Sequence, residues 1–265
     1  MAGKRGLSWD AEELRELYCD RQLSCVDIAD MKGCTEATVR YVMQTRGIRR
    51  RSKSGAALLA YRKHGCQAKV KPLFDRAEDL AYILGVVLGD GWLHHHRSNY
   101  RIGLNVTSEL FAKSFRAALA RIDVSSYVFV VKLSTKNPRH RDQHRIEASS
   151  RELFDWLIRL NATAAIGWLE DSPSLCASLL RGLYESEGAL QCRAKHAYRI
   201  TLYSSDWAMV QLMVHCLSVL DFRCSIGAPP RRSGRKQEYQ VRLLGGTAAV
   251  RKFLSVTQPC IKVIP

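Results

Sequence analysis

Asp90 and Glu187 are the residues of this chain best placed to do chemistry. Each stands eighth in a nine-residue phrase that occurs twice: Ile83-Leu84-Gly85-Val86-Val87-Leu88-Gly89-Asp90-Gly91 and Leu180-Arg181-Gly182-Leu183-Tyr184-Glu185-Ser186-Glu187-Gly188. Small residues lie four apart in both, Gly85 with Gly89 and Gly182 with Ser186. Positions i and i+4 share one helix face, and glycine or serine there lets a second helix backbone come close. The carboxylates are 97 residues apart (187 − 90), so two copies of one unit present one acid each. That arrangement suggests a metal site shared across a pseudo-twofold axis.

Gly91 and Gly188 stand where a helix would end in the left-handed conformation that glycine adopts at little cost. The acids then fall in the last turn, where the helix dipole disfavours an anion by about 0.3–1 kcal/mol. An acid placed there twice calls for a compensating cation. Gly-Asp-Gly alone is a common turn signal; the recurrence of the whole nine-residue phrase at domain spacing separates it from a surface turn.

On these residues the two phrases resemble the LAGLIDADG motif of homing endonucleases. Leu180 to Gly188, inside Ser178-Leu179-Leu180-Arg181-Gly182-Leu183-Tyr184-Glu185-Ser186-Glu187-Gly188, is the nearer match. The first copy departs at its sixth position, where Leu88 replaces the usual acid; the family's metal ligand is the eighth. The resemblance covers residues 76 to 265. It implies a duplicated α+β fold with two antiparallel saddles flanking paired motif helices, and double-strand DNA cleavage leaving short 3′ overhangs, one strand per acid. It implies two or three Mg²⁺ ions, with Mn²⁺ as a substitute, shared between Asp90 and Glu187 and the neighbouring Gly89 and Ser186. It also implies a peripheral lysine in each half. Lys262, after Phe253-Leu254 and Pro259, matches it in the second half; Lys132 is the candidate in the first. Carboxylates, carbonyls and water suit a hard cation that keeps waters and binds phosphate oxygens, and such ions activate a water and stabilise the leaving oxygen. Two other readings stay open: a DNA-binding regulator that has lost cleavage, and a maturase acting on its host intron RNA.

The elements around the acids repeat as well. Tyr100-Arg101-Ile102-Gly103-Leu104 recurs as Tyr198-Arg199-Ile200-Thr201-Leu202, offset by 98 (198 − 100). Helix-start signals follow each, Thr107-Ser108-Glu109 and Ser204-Ser205-Asp206, and helical patterns run over Phe111 to Ile122 and Trp207 to Leu220. Strands are expected at Tyr127 to Ser134 and His144 to Ser149, then at Phe222 to Ile226 and Glu238 to Leu244. Closing helices are expected near Arg151 to Leu160 and Thr247 to Leu254. The boundaries that follow are a helix-turn-helix domain over 1–50, a basic linker over 51–75, and repeats over 76–172 and 173–265.

Base reading in such a fold falls to one face of each saddle. In the first it is Trp92, His94, His96, Asn99 and Arg101, or the alternate set, since sequence alone does not fix period-two parity. The counterpart is Gln191, Arg193, Lys195, Arg199 and Thr201. Basic loops bear Lys136, Arg139, His140, Arg141 and Arg145 in one copy and Arg231, Arg232, Arg235 and Lys236 in the other. The different side chains of the halves imply an asymmetric site. His94-His95-His96 cannot all serve one metal, because neighbouring strand residues face opposite ways.

The amino-terminal 50 residues read as a separate all-α module. Ser8 opens a helical pattern with Leu14, Leu17 and Tyr18; Ser24 caps a second helix with Val26, Ile28 and Ala29; Thr35 caps a third through Val39, Tyr41 and Val42. Its pattern resembles the helix-turn-helix of resolvase-like and sigma-factor-like domains, in which Glu36, Thr38 and Arg40 would face the groove. The basic run Arg46, Arg49, Arg50, Arg51 and Lys53 follows and is expected to track phosphates.

Composition fits a polyanionic partner. Forty-one Lys and Arg against 25 acids give a formal net charge of +16 and a pI of about 9.7, a balance that favours association with nucleic acid. No apolar run of membrane length occurs and Met1-Ala2-Gly3-Lys4-Arg5 has no apolar h-region, so the reading excludes membrane and secreted classes and expects a cytoplasmic protein in a bacterial or phage setting. Nine cysteines form no C-x-x-C pair and read as reduced packing residues. Two motifs in one chain make a monomer sufficient, with double-stranded DNA as partner and no obligate protein partner.

Overall fold

The computed structural model describes residues 10–52, 71–132, 141–194, 197–230, 234 and 236–264. The chain forms two compact units, residues 1–69 and 70–265.

In the first unit, α1 (Ala11–Arg15) passes directly into a π turn, Glu16–Asp20. The Asp10 carboxylate accepts the Glu12 N–H and starts the helix there; Ser8 lies outside the described residues. Ser24 and Asp27 form a reciprocal capping box that opens α2 (Cys25–Lys32), satisfying two of the donors a helix start leaves unpaired. Gly33, at φ +64°, reverses the chain, and Thr35 caps α3 (Glu36–Thr45). Leu14, Leu17, Tyr18, Ile28, Val39, Met43 and Ile48 close a small core.

The second unit is a duplicated α+β structure. Its first copy is α4 (Ala77–Leu88), β1 (Gly91–His96), β2 (Asn99–Val106), α5 (Glu109–Arg121), β3 (Ser126–Val131), β4 (Gln143–Ser149) and α6 (Arg151–Arg159). After α7 (Ala162–Leu169), the second copy runs α8 (Pro173–Glu187), β5 (Gly188–Ala194), β6 (Ala197–Ser204), α9 (Trp207–Val219), β7 (Cys224–Gly227), β8 (Tyr239–Leu243) and α10 (Gly246–Thr257). Each copy makes an antiparallel four-stranded sheet, β1-β2-β4-β3 and β5-β6-β8-β7. The order and the two sheets are those the motif resemblance implies. Helix α7 is an addition between the copies: Asn161 Oδ1 accepts from the N–H groups of Thr163 and Ala164 and starts it.

The core lies between the helices and the inner faces of the sheets. Every residue of α4 from Leu80 to Val86 is buried, as a helix enclosed by other layers requires. Its partner is α8. A side chain at Gly182 would lie 2.5 Å from the Tyr82 carbonyl oxygen and 2.7 Å from the Val86 nitrogen, and one at Gly85 would sit 3.2 Å from the Gly182 Cα. The two backbones therefore touch where the spacing of small residues predicts.

Gly91 and Gly188 are not left-handed, against the sequence expectation. Gly188 is extended, at φ −85° and ψ 154°, and Gly91 is absent from the positive-φ residues. Gly188 passes straight from helix into strand, and Gly91 opens β1 after the turn residues Gly89 and Asp90; glycine serves at both because a Cβ would collide: at Gly91 with Val87 Cα at 2.6 Å, at Gly188 with the Tyr184 carbonyl oxygen at 2.5 Å.

Candidate active site

The contact of α4 with α8 carries their carboxyl ends to one place. A side chain at Gly89 would lie 2.8 Å from Ser186 Oγ and 3.5 Å from Glu187 Cγ, so Asp90 and Glu187 emerge beside each other. Surrounding protein raises the Asp90 carboxyl above its ordinary range, partly offset by the Lys262 charge. Glu187 is raised by burial first and by the Asp90 charge second, again offset by Lys262. Two partly buried carboxylates, one raised further by the charge of the other, at the carboxyl ends of two helices form a site that gains from a cation.

Lys262 is that cation in the chain itself. Its Nζ donates to the carbonyl oxygens of Tyr184 (3.1 Å), Glu185 (2.7 Å) and Ser186 (3.0 Å), closing the carboxyl end of α8. Partial burial pushes its pKa down while Asp90, Glu187 and Glu185 pull it up. The Tyr184 hydroxyl donates to the Lys262 carbonyl at 2.6 Å, and Lys262 itself is left-handed at φ 58°. Beneath lies a buried network: Glu185 accepts from Tyr82 Oη (2.6 Å), Arg181 Nε (3.2 Å) and the Cys260 N–H (2.7 Å). Desolvation, then the Glu185 charge, holds the Tyr82 hydroxyl well above its usual pKa. Sequence reasoning missed Glu185 as more than a motif letter, and Cys260 altogether.

The donor set of the two side chains, the Asp90 and Glu187 carboxylates, is oxygen only, and among the described residues no cluster of three or more His, Cys, Asp or Glu joins it. It suits a hard divalent cation rather than a thiolate-seeking one. The Ser186 carbonyl is already engaged by Lys262. Lys132 is exposed just past β3 and pairs with Asp142 at 2.9 Å, whereas Lys262 interacts with both acids.

Strand register resolves the parity the sequence left open. Ile102, Leu104 and Ile146 are buried on the inner face. Trp92, His94 and His96 pair with Gly103, Arg101 and Asn99, so all of these share the outer face. His95 points the other way and stacks on Tyr100 at 4.4 Å. Arg145 and Glu147 on β4 join the outer face opposite Asn105 and Gly103, as do Tyr127 and Phe129 on β3. The Trp92 ring lies over Gly103, where any Cβ would meet it. The Arg145 guanidinium stands over the ring, 5.3 Å from its centroid, and Glu147 pairs with both Arg145 and Arg101. In the second sheet Gln191, Arg199 and Thr201 share the outer face with Arg242, and Tyr203 with Gln240. Arg193 lies at a bulge between Cys192 and Ala194. Arg141 and Lys236 are exposed; Arg139, Lys195, Arg231, Arg232 and Arg235, with Lys136 and His140, lie outside the described residues.

In the first unit the outward face of α3 carries Ala37, Arg40, Tyr41 and Gln44, which with Ile48 and Arg50 line an open depression of about 560 Å³. Glu36 ion-pairs with Arg40, and the Thr38 hydroxyl bonds to that of Thr35 at 2.9 Å. Arg49 and Arg50 are exposed. Arg51 instead folds back: its guanidinium lies 3.8 Å from the centroid of the Tyr18 ring and donates to the Tyr18 and Leu23 carbonyls.

The fold thus defines a duplicated α+β protein, two saddles on a helix pair with an acid at each helix end. No protein-family model matches the chain. A stretch of 145 residues, 55% of this chain, is 30% identical to an uncharacterized protein of Methanocaldococcus jannaschii and covers 54% of it; the chain spans about half the length of that curated relative. Among solved structures, the homing endonuclease I-DmoI in complex with DNA and Mn is 18% identical over 71% of this chain and 99% of its own, with a TM-score of 0.48. The N-terminal LAGLIDADG domain of DUF199/WhiA is 16% identical over 70% of this chain and 85% of its own, with a TM-score of 0.49.

Proposed function

We propose that the chain is a site-specific double-strand DNA endonuclease of the homing type, dependent on a divalent metal and reading a long asymmetric site. The observation that carries this reading is the convergence of Asp90 and Glu187, one from each copy, at the ends of α4 and α8. Asp90, Glu187 and the Gly89 carbonyl would hold Mg²⁺. When bound, the metal lowers the pKa of a water and neutralises charge on phosphate and leaving oxygen. The chain's own residues do the rest. The paired glycines fix the carboxylates against each other, and each acid serves one strand. The Lys262 ammonium, held by three carbonyls, would supply positive charge where the phosphate oxygens gather negative charge in the transition state. The outer sheet faces present Trp92, His94, His96, Arg101 and Arg145 in one half, and Gln191, Arg199, Tyr203 and Arg242 in the other, to base edges. Arg141 and Lys236 would contact phosphates on the flanks.

The amino-terminal unit extends the footprint. No acid occurs between residues 37 and 74, so the sequence that carries Arg40 and Arg50 runs on as an acid-free stretch in which every charged residue is basic. A monomer would bind double-stranded DNA.

One observation favours a second reading, a non-cleaving DNA-binding regulator: Lys262 already supplies a cation to the helix end and the acid pair. Selection of cut sites from a random DNA library with Mg²⁺, wild type beside the Asp90→Asn/Glu187→Gln double variant, separates the two. Discrete cuts made by the wild type alone support the nuclease. Enrichment of a bound site with cuts from neither protein supports the regulator.

A further inference from the structure

The two copies differ together at three motif positions. Arg181, Tyr184 and Glu185 in α8 stand where α4 has Leu84, Val87 and Leu88. In the structure Tyr184 and Glu185 reach one target, the segment after α10, and Arg181 holds Glu185. Glu185, 1% exposed, accepts the Cys260 N–H at 2.7 Å. Arg181 holds the Glu185 carboxylate at 3.2 Å while its other arm donates to Ser114 Oγ at 2.9 Å. Tyr184 donates to the Lys262 carbonyl at 2.6 Å. A buried carboxylate needs such partners to remain in place, and here one of them is a backbone amide 75 residues away. Pro259 is buried, and Cys260, Ile261 and Ile264 pack on the core around it.

Among the described residues the first copy has no such fastening, and after α6 the chain runs on into α7. The 97-residue offset carries Lys262 to position 165 (262 − 97), a buried alanine inside α7. Leu84 is buried and Val87 and Leu88 pack on the same core. The polar motif residues and the lysine are thus present together in one copy and absent together in the other.

We propose that Glu185 is the positioning residue of this site: with Tyr184 it straps residues 260–262 across the end of α8 and fixes the Lys262 ammonium beside Asp90 and Glu187 in the second half alone. The strap is a property of the fold. Its consequence, that cleavage requires Glu185 although Glu185 faces neither metal nor DNA, rests on the nuclease reading above.

The test uses the full chain as wild type, Glu185→Leu, Glu185→Gln, Tyr184→Phe and Lys262→Met. The Arg181→Leu/Glu185→Leu pair, which copies Leu84 and Leu88, avoids stranding the Arg181 charge if the single leucine variant fails to fold. Reductive methylation with formaldehyde and a borane, followed lysine by lysine by mass spectrometry, reads the strap without metal or DNA. Lys262 is expected to react about tenfold faster in the leucine variants, where the tail opens locally, while Lys252 keeps its wild-type rate. Glu185→Gln keeps an acceptor for the Cys260 N–H and should stay near wild type; Tyr184→Phe should fall between. An unchanged Lys262 rate in a folded leucine variant overturns the strap. Plasmid nicking then reads the consequence: Glu185→Leu and Lys262→Met should each slow cutting about a hundredfold with unchanged DNA affinity, and combining them should add little. Additive losses overturn the positioning role. A wild type that never cuts sinks the nuclease reading and leaves the methylation result to decide the strap.

Discussion

Gly182 of α8 rests directly against the backbone of Val86 in α4, 2.7 Å from the position a Cβ would take. That closeness is what sets Asp90 beside Glu187, since Asp90 follows Val86 by four residues (90 − 86) and Glu187 follows Gly182 by five (187 − 182). Gly182→Ala should therefore destabilise the protein by about 2–3 kcal/mol, the scale of overpacking against an unyielding neighbour. Gly167, inside α7 with open space where a Cβ would be, is the control: Gly167→Ala should stabilise by about 0.5–1 kcal/mol. Denaturant midpoints of the two variants decide it, and equal effects would refute the packing account.

The acid pair should cost stability at neutral pH. Asp90 and Glu187 are both raised in the folded protein, chiefly by burial. A carboxyl raised on folding binds more protons in the native than in the unfolded chain, so stability is highest below the unfolded pKa and falls as pH rises through the folded one. Asp90→Asn/Glu187→Gln should accordingly melt higher than wild type at pH 7.5, with the gap closing below about pH 4. Lys262 keeps its three carbonyl partners in the variant, which limits the opposing loss. Millimolar Mg²⁺ should raise the melting point of the wild type alone. A wild type at least as stable as the variant at pH 7.5 would count against a strained pair.

What the sequence made legible follows from periodicity. The helix contact was readable because small residues recur at i and i+4; the alternation in β1 and β2 was readable too, but which set faces outward came only from the pairing register and the burial of Ile102 and Leu104. The strap was not readable. A bond from Cys260 to Glu185 spans 75 residues and leaves no period in the chain. On α3 the residues singled out from sequence, Glu36, Thr38 and Arg40, are spaced by two, whereas the exposed stripe Ala37, Arg40, Tyr41 and Gln44 follows the helical spacing i, i+3, i+4, i+7, and Arg40 belongs to both sets. The glycines after the acids were right in position and wrong in cause, because close approach and helix-end conformation select the same residue.

Gly103 should tune what the first saddle reads. It leaves a flat seat for the Trp92 ring, which in turn backs Arg145, and the Ile146 carbonyl oxygen would lie 2.8 Å from a Cβ there. Gly103→Ala should lift the ring and move Arg145, changing base preference in one half of the selected site. The other half, read from β5, β6 and β8, should be unaffected. The shift should amount to about 1–3 kcal/mol of discrimination at that position, measured by sequencing bound sites. Changes spread evenly over both halves would show that the outer face of the first sheet is not a separate reader.

Arg40 and Arg51 belong to the same basic stretch and should behave oppositely. Arg40 stands on the outward face of α3 beside Tyr41, so Arg40→Ala should leave stability near wild type and reduce the salt dependence of DNA binding by about one unit of slope. Arg51 is committed to Tyr18 and to the Tyr18 and Leu23 carbonyls. Arg51→Ala should destabilise the first unit by about 1.5 kcal/mol, as expected when a charged donor to backbone is removed. Thr38→Ala should change neither property much, its hydroxyl being engaged with Thr35. Salt titrations of affinity alongside thermal melts separate these outcomes. An Arg51→Ala protein of unchanged stability and weakened DNA binding would return that residue to the phosphate-contacting set.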